Sequence, residues 1–280
     1  MNDWNRRLAD PRPIMMGVLN VTPDSFSDGG HFTEPATATM HALSMVGEGA
    51  DIIDVGGEST RPGAPRVDAA EQIRRTRGVV EHLRQTLPDH VQISIDTTLP
   101  AVAEAALAAG ATMINDVQAG LETGMLELAA RSGAPIVLMH MRGTPATMQQ
   151  DPVYADVVAE VEAFLLARAA TALELGVGKA QIILDPGIGF GKTRAHNLAL
   201  LARLRRLSGH GYPLLLGTSR KRFMGSICAE TDPNNLLGAT CATTALGVAA
   251  GVRIFRVHDV KPNRQAADVA WTIGGAGDGP

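Results

Sequence analysis

Cysteine is nearly absent. Cys228 and Cys241 are the only two in 280 residues, too few for a disulfide framework and without the spacing of a zinc site. Both fall in or near helical stretches and are expected as small core residues. Aromatic residues make up only 4% of the chain, so a core has to be built from aliphatic side chains and alanine. Basic residues are not in excess: 25 Lys and Arg stand against 29 Asp and Glu. That balance excludes the electrostatic footprint of a nucleic-acid binder and leaves any anionic ligand to local groups. No run reaches the ~18 apolar residues of a membrane span. Residues 1–13 hold Trp4, Arg6 and Arg7 but no apolar stretch of a secretory signal. The expectation is a cytoplasmic protein with no membrane and no nucleic-acid partner. Residues 1–13 and the glycine-rich 274–280 read as flexible tails.

Several catalytic signatures are missing too. There is no G-x-S-x-G, no G-x-G-x-x-G after the first apolar run and no H-E-x-x-H. The stretch Gly187-Ile188-Gly189-Phe190-Gly191-Lys192-Thr193 invites a phosphate-loop reading. Only three residues separate Gly187 from Gly191, which is too short for the loop of nucleoside triphosphate sites.

What is there is a repeat of short apolar runs: Ile14–Leu19, Asp51–Val55, Val91–Ile95, Thr112–Asn115, Ile136–Met139, Ile182–Leu184, Leu214–Leu216 and Ile254–Val257. Amphipathic stretches such as Ala69–Leu87, Ala101–Ala109, Tyr154–Leu175 and Leu236–Ala250 lie between them. Strand and helix in alternation predict a parallel sheet with crossover helices. Eight such units at this length favour an α/β fold closed into a single (β/α)8 TIM-type barrel, which typically takes about 250 residues. An open doubly wound sheet is the alternative. No linker divides the chain, so 1–280 reads as one domain.

Polar and ionisable residues follow nearly every run. They are Asn20, then Gly56 to Pro62, Asp96, Asn115-Asp116, His140, Asp185-Pro186-Gly187 and Thr218 to Lys221; Arg256 lies inside the last run, which ends at His258-Asp259. Nothing comparable precedes the runs. In a barrel the C-terminal strand ends share one face, and that face carries the active site. Single Asp or Asn residues after strands are often turn formers or helix caps. Charged groups at nearly every strand end point to a site.

The chemistry divides into groups. Asp96, Asn115 and Asp185 suit a flat heterocycle with adjacent donors and acceptors, with Lys221 as an ion-pair partner for a buried carboxylate. Arg61, Arg220, Lys221, Arg222, Arg256 and His258 put positive charge at the same face, with Arg222 read as a solvated helix residue. With Asn20 as a neutral oxygen donor, the set fits a diphosphate and a Mg²⁺ ion. Arg256 and His258 are two apart on one strand and therefore point the same way. The segment Val21–Phe32, with Pro23, Gly29, Gly30 and Phe26, is a candidate lid or an ordinary surface loop.

These residues resemble a known family. Gly17 to Gly30 (GVLNVTPDSFSDGG) and Asp54 to Ala64 (DVGGESTRPGA) are similar to the two signatures of the bacterial dihydropteroate synthase family. Further matches are Ser94-Ile95-Asp96-Thr97, Asn115-Asp116, Asp185 to Lys192, Ser219-Arg220-Lys221 and Arg256 to Val260, in family order from Met16 to Val260. The resemblance implies a (β/α)8 barrel, usually a homodimer, with Mg²⁺ as cofactor. It implies a transferase of folate synthesis that condenses 6-hydroxymethyl-7,8-dihydropterin diphosphate with p-aminobenzoate, and that sulfonamides inhibit. Carried over by position, Asp96, Asn115, Met139, Asp185, Phe190, Gly217 and Lys221 would hold the pterin. Phe26, Thr60, Arg61, Pro62 and Ser219 would shape the p-aminobenzoate site. Asn20, Arg61, Arg256 and His258 would bind diphosphate, with Asn20 on the metal. Asp96, Asp185, Lys221, Arg256 and His258 would carry catalysis. A pterin-dependent methyltransferase would share the Asp/Asn/Asp set but would not need Asn20, Thr60-Arg61-Pro62 or Ser219-Arg220-Lys221. A non-catalytic pterin-binding paralogue would keep the pocket without turnover.

Overall fold

In the computed structural model, which describes residues 3–21, 34–59, 66–144, 147, 148 and 150–276, strands and helices alternate along the chain. The first half runs α1 (Asp3–Ala9), β1 (Ile14–Asn20), α2 (Glu34–Gly47), β2 (Ile52–Gly56), α3 (Ala69–Thr86), β3 (Gln92–Asp96), α4 (Pro100–Ala108), β4 (Met113–Asp116), α5 (Met125–Ser132) and β5 (Ile136–Met139). The second half runs α6 (Val157–Glu174), β6 (Ile182–Asp185), α7 (Arg194–Leu201), α8 (Leu204–Ser208), β7 (Leu215–Leu216), α9 (Arg222–Cys228), α10 (Leu237–Ala249), β8 (Ile254–Val257) and α11 (Val260–Ala276). The strands pair in parallel in the order β6-β5-β4-β3-β2-β1-β8-β7. A parallel bridge between Leu184 and Leu214 joins the two ends of that order. The sheet therefore closes, and the barrel is preferred over the open sheet.

Local sequence explains the element ends. Asp68 caps α3 by accepting a hydrogen bond from the Glu71 N–H, and Asp156 caps α6 on Val158 and Ala159. Pro100 occupies the first turn of α4, where its missing N–H costs nothing.

Each strand alternates its side chains between the barrel interior and the helix layer. Ile14, Met16, Ile52, Met113, Val137, Ile183, Leu215 and Ile254 form one apolar cluster, the barrel floor. Their outward neighbours, such as Met15, Ile53, Ile95, Ile114, Leu138, Leu184 and Phe255, pack with helix residues in a second, larger cluster. That two-sided burial is why the strands read as unbroken apolar runs. Continuing the same period of two carries the interior upward from Ile14 to Val18 and Asn20, from Ile52 to Asp54, and from Ile254 to Arg256.

Of the two stretches read as flexible tails, α1 (Asp3–Ala9) occupies part of the first and the end of α11 (to Ala276) part of the second, while residues 1, 2 and 277–280 lie outside the described residues. α1 lies under the barrel, with Trp4 only 2% exposed and packed in the floor cluster beside Leu8. The Trp4 indole N–H donates to Ala180 O at 2.7 Å, and Arg7 pairs with Asp51. At the other end α11 extends to Ala276, so Gly274 and Gly275 are helical. The cysteines also differ from expectation. Cys228 is exposed and Cys241 half-buried, because α9 and α10 turn those faces away from the barrel.

Candidate active site

A cavity of about 950 Å³ opens at the C-terminal ends of the strands. Asn20, Asp96, Asn115, Met139, Asp185, Phe190, Gly217, Ser219, Lys221, Arg256 and His258 all line it. Every described residue singled out in the sequence as pterin-, diphosphate- or aminobenzoate-facing is therefore at one mouth. Register explains the gathering. Asn20 pairs with Gly56, Gly56 with Asp96, Asp96 with Asn115, and Met139 with Asp185, so the inward side chains of successive strands stand at similar height. Phe26, Thr60, Arg61 and Pro62 lie outside the described residues, as does the candidate lid from 22 to 32.

The cavity floor is a charged lattice. The Arg256 guanidinium donates through Nε to Asp54 Oδ2 and through Nη2 to Asp96 Oδ2, both at 2.7 Å. Asn115 Nδ2 donates to the same Asp54 oxygen at 2.9 Å. Asp54 is wholly buried, and Asp96 and Asn115 are nearly so. A carboxylate in that position persists only with such partners. The partner of Asp96 is therefore Arg256. Burial pushes the Asp96 carboxyl up to about 7, against the pull of Arg256 and with the push of Asp54. Burial of Arg256 opposes its charge, but Asp54 and Asp96 more than offset this and raise its pKa above the ordinary value.

The opposite wall carries Asp185, Phe190 and Lys221. Asp185 Oδ1 accepts from the Gly187 N–H at 2.7 Å, and burial raises its carboxyl to about 6. The Lys221 ammonium stands over the Phe190 ring, 3.9 Å from its centroid. Burial, and then the nearby Arg256, lower it to about 8. These groups leave carboxylate oxygens, an ammonium and an aromatic face around one slot.

The basic set is smaller than the sequence implies. Arg220 spends its guanidinium on Asp259, at 2.9 and 3.2 Å. His258 is held at about 3 by burial and by Arg256 and Arg220, so its imidazole is neutral, with Nδ1 3.0 Å from Ser219 Oγ. Arg256 and Lys221 remain as charges toward an anion, and Arg194 and Arg222 also line the cavity.

Asp54 lies in the middle of an apolar run, away from the strand ends that mark most of the site. Two signals were present: the inward period from Ile52, and the need of any acid inside a buried strand for a partner. Lys192 was set aside with the rejected phosphate loop, yet it is buried and lines the cavity.

Among the described residues no group of three or more His, Cys, Asp or Glu could hold a metal ion. Asn20, a neutral amide at the rim, fits Mg²⁺ of the kind that takes most of its ligands from substrate phosphates and water.

Residues 16–258 match the family described as pterin binding enzyme. A dihydropteroate synthase of Synechocystis sp. is 48% identical over 273 residues, covering 96% of this chain and 92% of the relative. The Xanthomonas albilineans dihydropteroate synthase solved with 4-aminobenzoic acid is 44% identical, with a TM-score of 0.88 over 96% of this chain and 94% of that one. The Yersinia pestis dihydropteroate synthase solved with a sulfonamide drug is 42% identical, with a TM-score of 0.87 over 94% of each chain.

Proposed function

The chain belongs to the pterin-binding enzyme family, and from that premise we propose that it is a dihydropteroate synthase. It condenses 6-hydroxymethyl-7,8-dihydropterin diphosphate with p-aminobenzoate, releasing pyrophosphate and 7,8-dihydropteroate, in folate synthesis. The observation that carries this reading is the convergence of Asp96, Asn115, Asp185, Lys221 and Arg256 on one cavity.

The residues act as follows. Asp185 and Asn115 meet the donor and acceptor edge of the pterin, with Met139 and Phe190 on its faces. Lys221 donates to a ring acceptor. Arg256 has five N–H donors and uses two of its nitrogens on Asp54 and Asp96, which fixes its plane and leaves donors for the diphosphate. His258 stands beside that anion. Burial keeps the imidazole neutral and the Arg256 and Arg220 charges add to that; a bound diphosphate offsets those charges, and His258 can donate a hydrogen bond to the departing pyrophosphate. Asp96 and Asp185 are fixed anions near the cation that forms at the pterin methylene as the leaving group departs. The p-aminobenzoate amine then attacks that carbon, so no protein nucleophile is needed. Ser219 contributes its hydroxyl on the p-aminobenzoate side. Mg²⁺ would be held by Asn20 with diphosphate oxygens and would supply neutralisation of leaving-group charge.

Sulfonamides, as mimics of p-aminobenzoate, are expected to inhibit with ordinary sensitivity. A homodimer is part of the proposal. α10 and α11 leave Leu246, Val269 and Ile273 exposed, and the last two stand one turn apart on one helix face. No described helix is long and apolar enough to cross a membrane, and the cytoplasm is the compartment proposed.

The test is pyrophosphate release on mixing with both substrates and Mg²⁺. Release that depends on p-aminobenzoate is expected. Pterin binding without release would support a non-catalytic role, and methyl transfer without release would support the methyltransferase. Asp185→Ala should lose ~2–4 kcal/mol of transition-state stabilisation; a near-normal kcat/KM would remove it from the mechanism.

A further inference from the structure

The cavity wall after β6 holds a buried cation for which the mechanism above has no role. Lys192 Nζ stands 2.9 Å from Gly187 O, 3.0 Å from Phe190 O, 3.2 Å from His140 O and 3.0 Å from His140 Nδ1. An ammonium has three donors and no acceptor. The carbonyls are obligate acceptors, so a charged Lys192 requires a lone pair on Nδ1 and places the His140 proton on Nε2. Three N–H donors face four acceptors, so one donor is shared; a neutral amine, with two donors, would match fewer of them.

The cage pulls the segment after β6 onto the end of β5. A Cβ on Gly187 would lie 1.9 Å from His140 O, and one on Gly191 would lie 2.4 Å from Arg142 O. Both glycines have positive φ, 65° and 61°. Only glycine permits that approach. Tyr154 adds a hydrogen bond from its hydroxyl to Gly191 O at 2.8 Å. The tightened turn carries three groups of the slot: the Gly187 N–H bound to Asp185, the Phe190 ring, and Gly189, against which the Lys221 chain packs.

We propose that Lys192 is a positioning residue for the reaction: its ammonium, gripped by three main-chain oxygens and His140, sets the height of the Phe190 wall and serves as a second counter-charge for Asp185. The proposal rests on the reading of the cavity as a pterin diphosphate site. Asp185 is faced by Lys221, Lys192 and Arg256, each of which lowers its pKa. Lys192 is faced by Asp185, Lys221 and Arg142, and burial lowers it to about 7. His140 stays neutral, at about 3, through burial and the Lys192 charge.

The experiment compares wild type, Lys192→Met and Lys192→Arg in pyrophosphate release across pH, with each substrate varied. Lys192→Met should lower kcat/KM for the pterin diphosphate by roughly 100-fold, the scale of a small misplacement of a binding wall. The loss should fall mainly on KM for the pterin and leave KM for p-aminobenzoate near wild type. The acid limb of the profile should move to higher pH, because Asp185 loses a counter-charge. Lys192→Arg keeps the charge but cannot converge on four acceptors, so it should restore the limb and only part of the affinity. A Lys192→Met enzyme with wild-type pterin KM and an unmoved limb overturns the proposal. If that variant does not fold, ¹⁵N NMR of wild-type His140, recorded about one pH unit below the Lys192 value, decides. A proton on Nε2 supports the charged clamp, and one on Nδ1 overturns it. A wild-type chain that releases no pyrophosphate sinks the reading of the cavity and this role with it. An active wild type with an indifferent variant sinks the role alone.

Discussion

The floor and the mouth of this barrel are built on the same strands, by the same alternation, and have opposite physics. At the floor the inward residues are Ile14, Ile52, Met113, Val137, Ile183, Leu215 and Ile254, closed from below by Trp4. A few residues further along, the inward positions hold Asn20, Asp54, Asp96, Asn115, Asp185 and Arg256. The floor needs no partners, because burying apolar area is favourable wherever shapes fit. The mouth holds carboxylates whose pKa values burial has raised to about 7 and about 6, so each one costs stability at neutral pH. The floor is where the fold gains stability, and the mouth is where it gives some up to hold charges ready for a substrate.

The largest expected effect joins the two ends. Asp54 sits at the boundary, one inward step above Ile52, and holds both Arg256 and Asn115. Asp54→Ala leaves the Arg256 guanidinium, its side chain 22% exposed, with Asp96 alone; a fully buried broken pair costs about 3–5 kcal/mol, so about 2–3 kcal/mol is expected here. Unfolding in urea should show that loss, and kcat/KM should fall by an order of magnitude or more, near the scale of one preorganised group. Normal turnover in this variant would mean that Asp96 alone orients Arg256. Trp4→Ala should cost roughly 3 kcal/mol, the low end for a large buried aromatic, and leave kcat/KM per folded molecule unchanged. If activity fell with stability held constant, the floor would be coupled to the mouth and the division would fail.

The barrel was legible because both faces of its strands are buried, which turns them into countable apolar runs. The mouth was legible because its residues follow those runs, so strand ends alone predicted Asn20, Asp96, Asn115, Asp185 and His258. Three things were not. Asp54 lies within a run and resembles an interruption. Trp4 shares a seven-residue helix with Leu8 and Ala9 as its other apolar residues, too short for periodicity to distinguish from a tail. Lys192 belongs to a glycine-rich turn whose meaning depends on carbonyls at Gly187, Phe190 and distant His140, and carbonyl direction leaves no mark in residue type. The cysteines were misplaced for a related reason: a helix on a barrel wall has an outer face, and small apolar residues are tolerated there.

Titration sharpens the contrast by a smaller amount. The folded-state pKa of Asp185 lies above its unfolded value, so the native form holds the proton more tightly. Its contribution to stability is full below pH ~4 and is lost as pH rises through about 6. Asp185→Asn keeps an acceptor for the Gly187 N–H and removes the charge. At pH 7 it should be more stable than wild type by roughly 1–3 kcal/mol, at about 1.4 kcal/mol per pKa unit, while losing activity. Thermal unfolding from pH 4 to 7 should show the variant gaining on wild type as pH rises, over a background in which Asp96 and Asp116 lower stability and the neutral His140 and His258 raise it. A variant less stable than wild type at pH 7 would mean that the carboxylate stabilises the mouth.

The smallest effect concerns strain. Arg220 adopts φ of 60° between Ser219 and Lys221, both of which line the cavity. At that left-handed turn the Arg220 guanidinium pairs with Asp259 at the edge of the cavity. For a residue with a Cβ the conformation costs about 1–2 kcal/mol, and the half-exposed Arg220–Asp259 pair returns up to about 1 kcal/mol. Arg220→Gly removes both terms and should leave stability nearly unchanged. Arg220→Ala loses the pair and keeps the strain, so it should be less stable than the glycine variant by about 1 kcal/mol, measured as a denaturant midpoint. The ordering is the reverse of that in a helix, where alanine wins. Equal stability of the two variants would show a relaxed turn and would place the cost of the mouth in its buried charges alone.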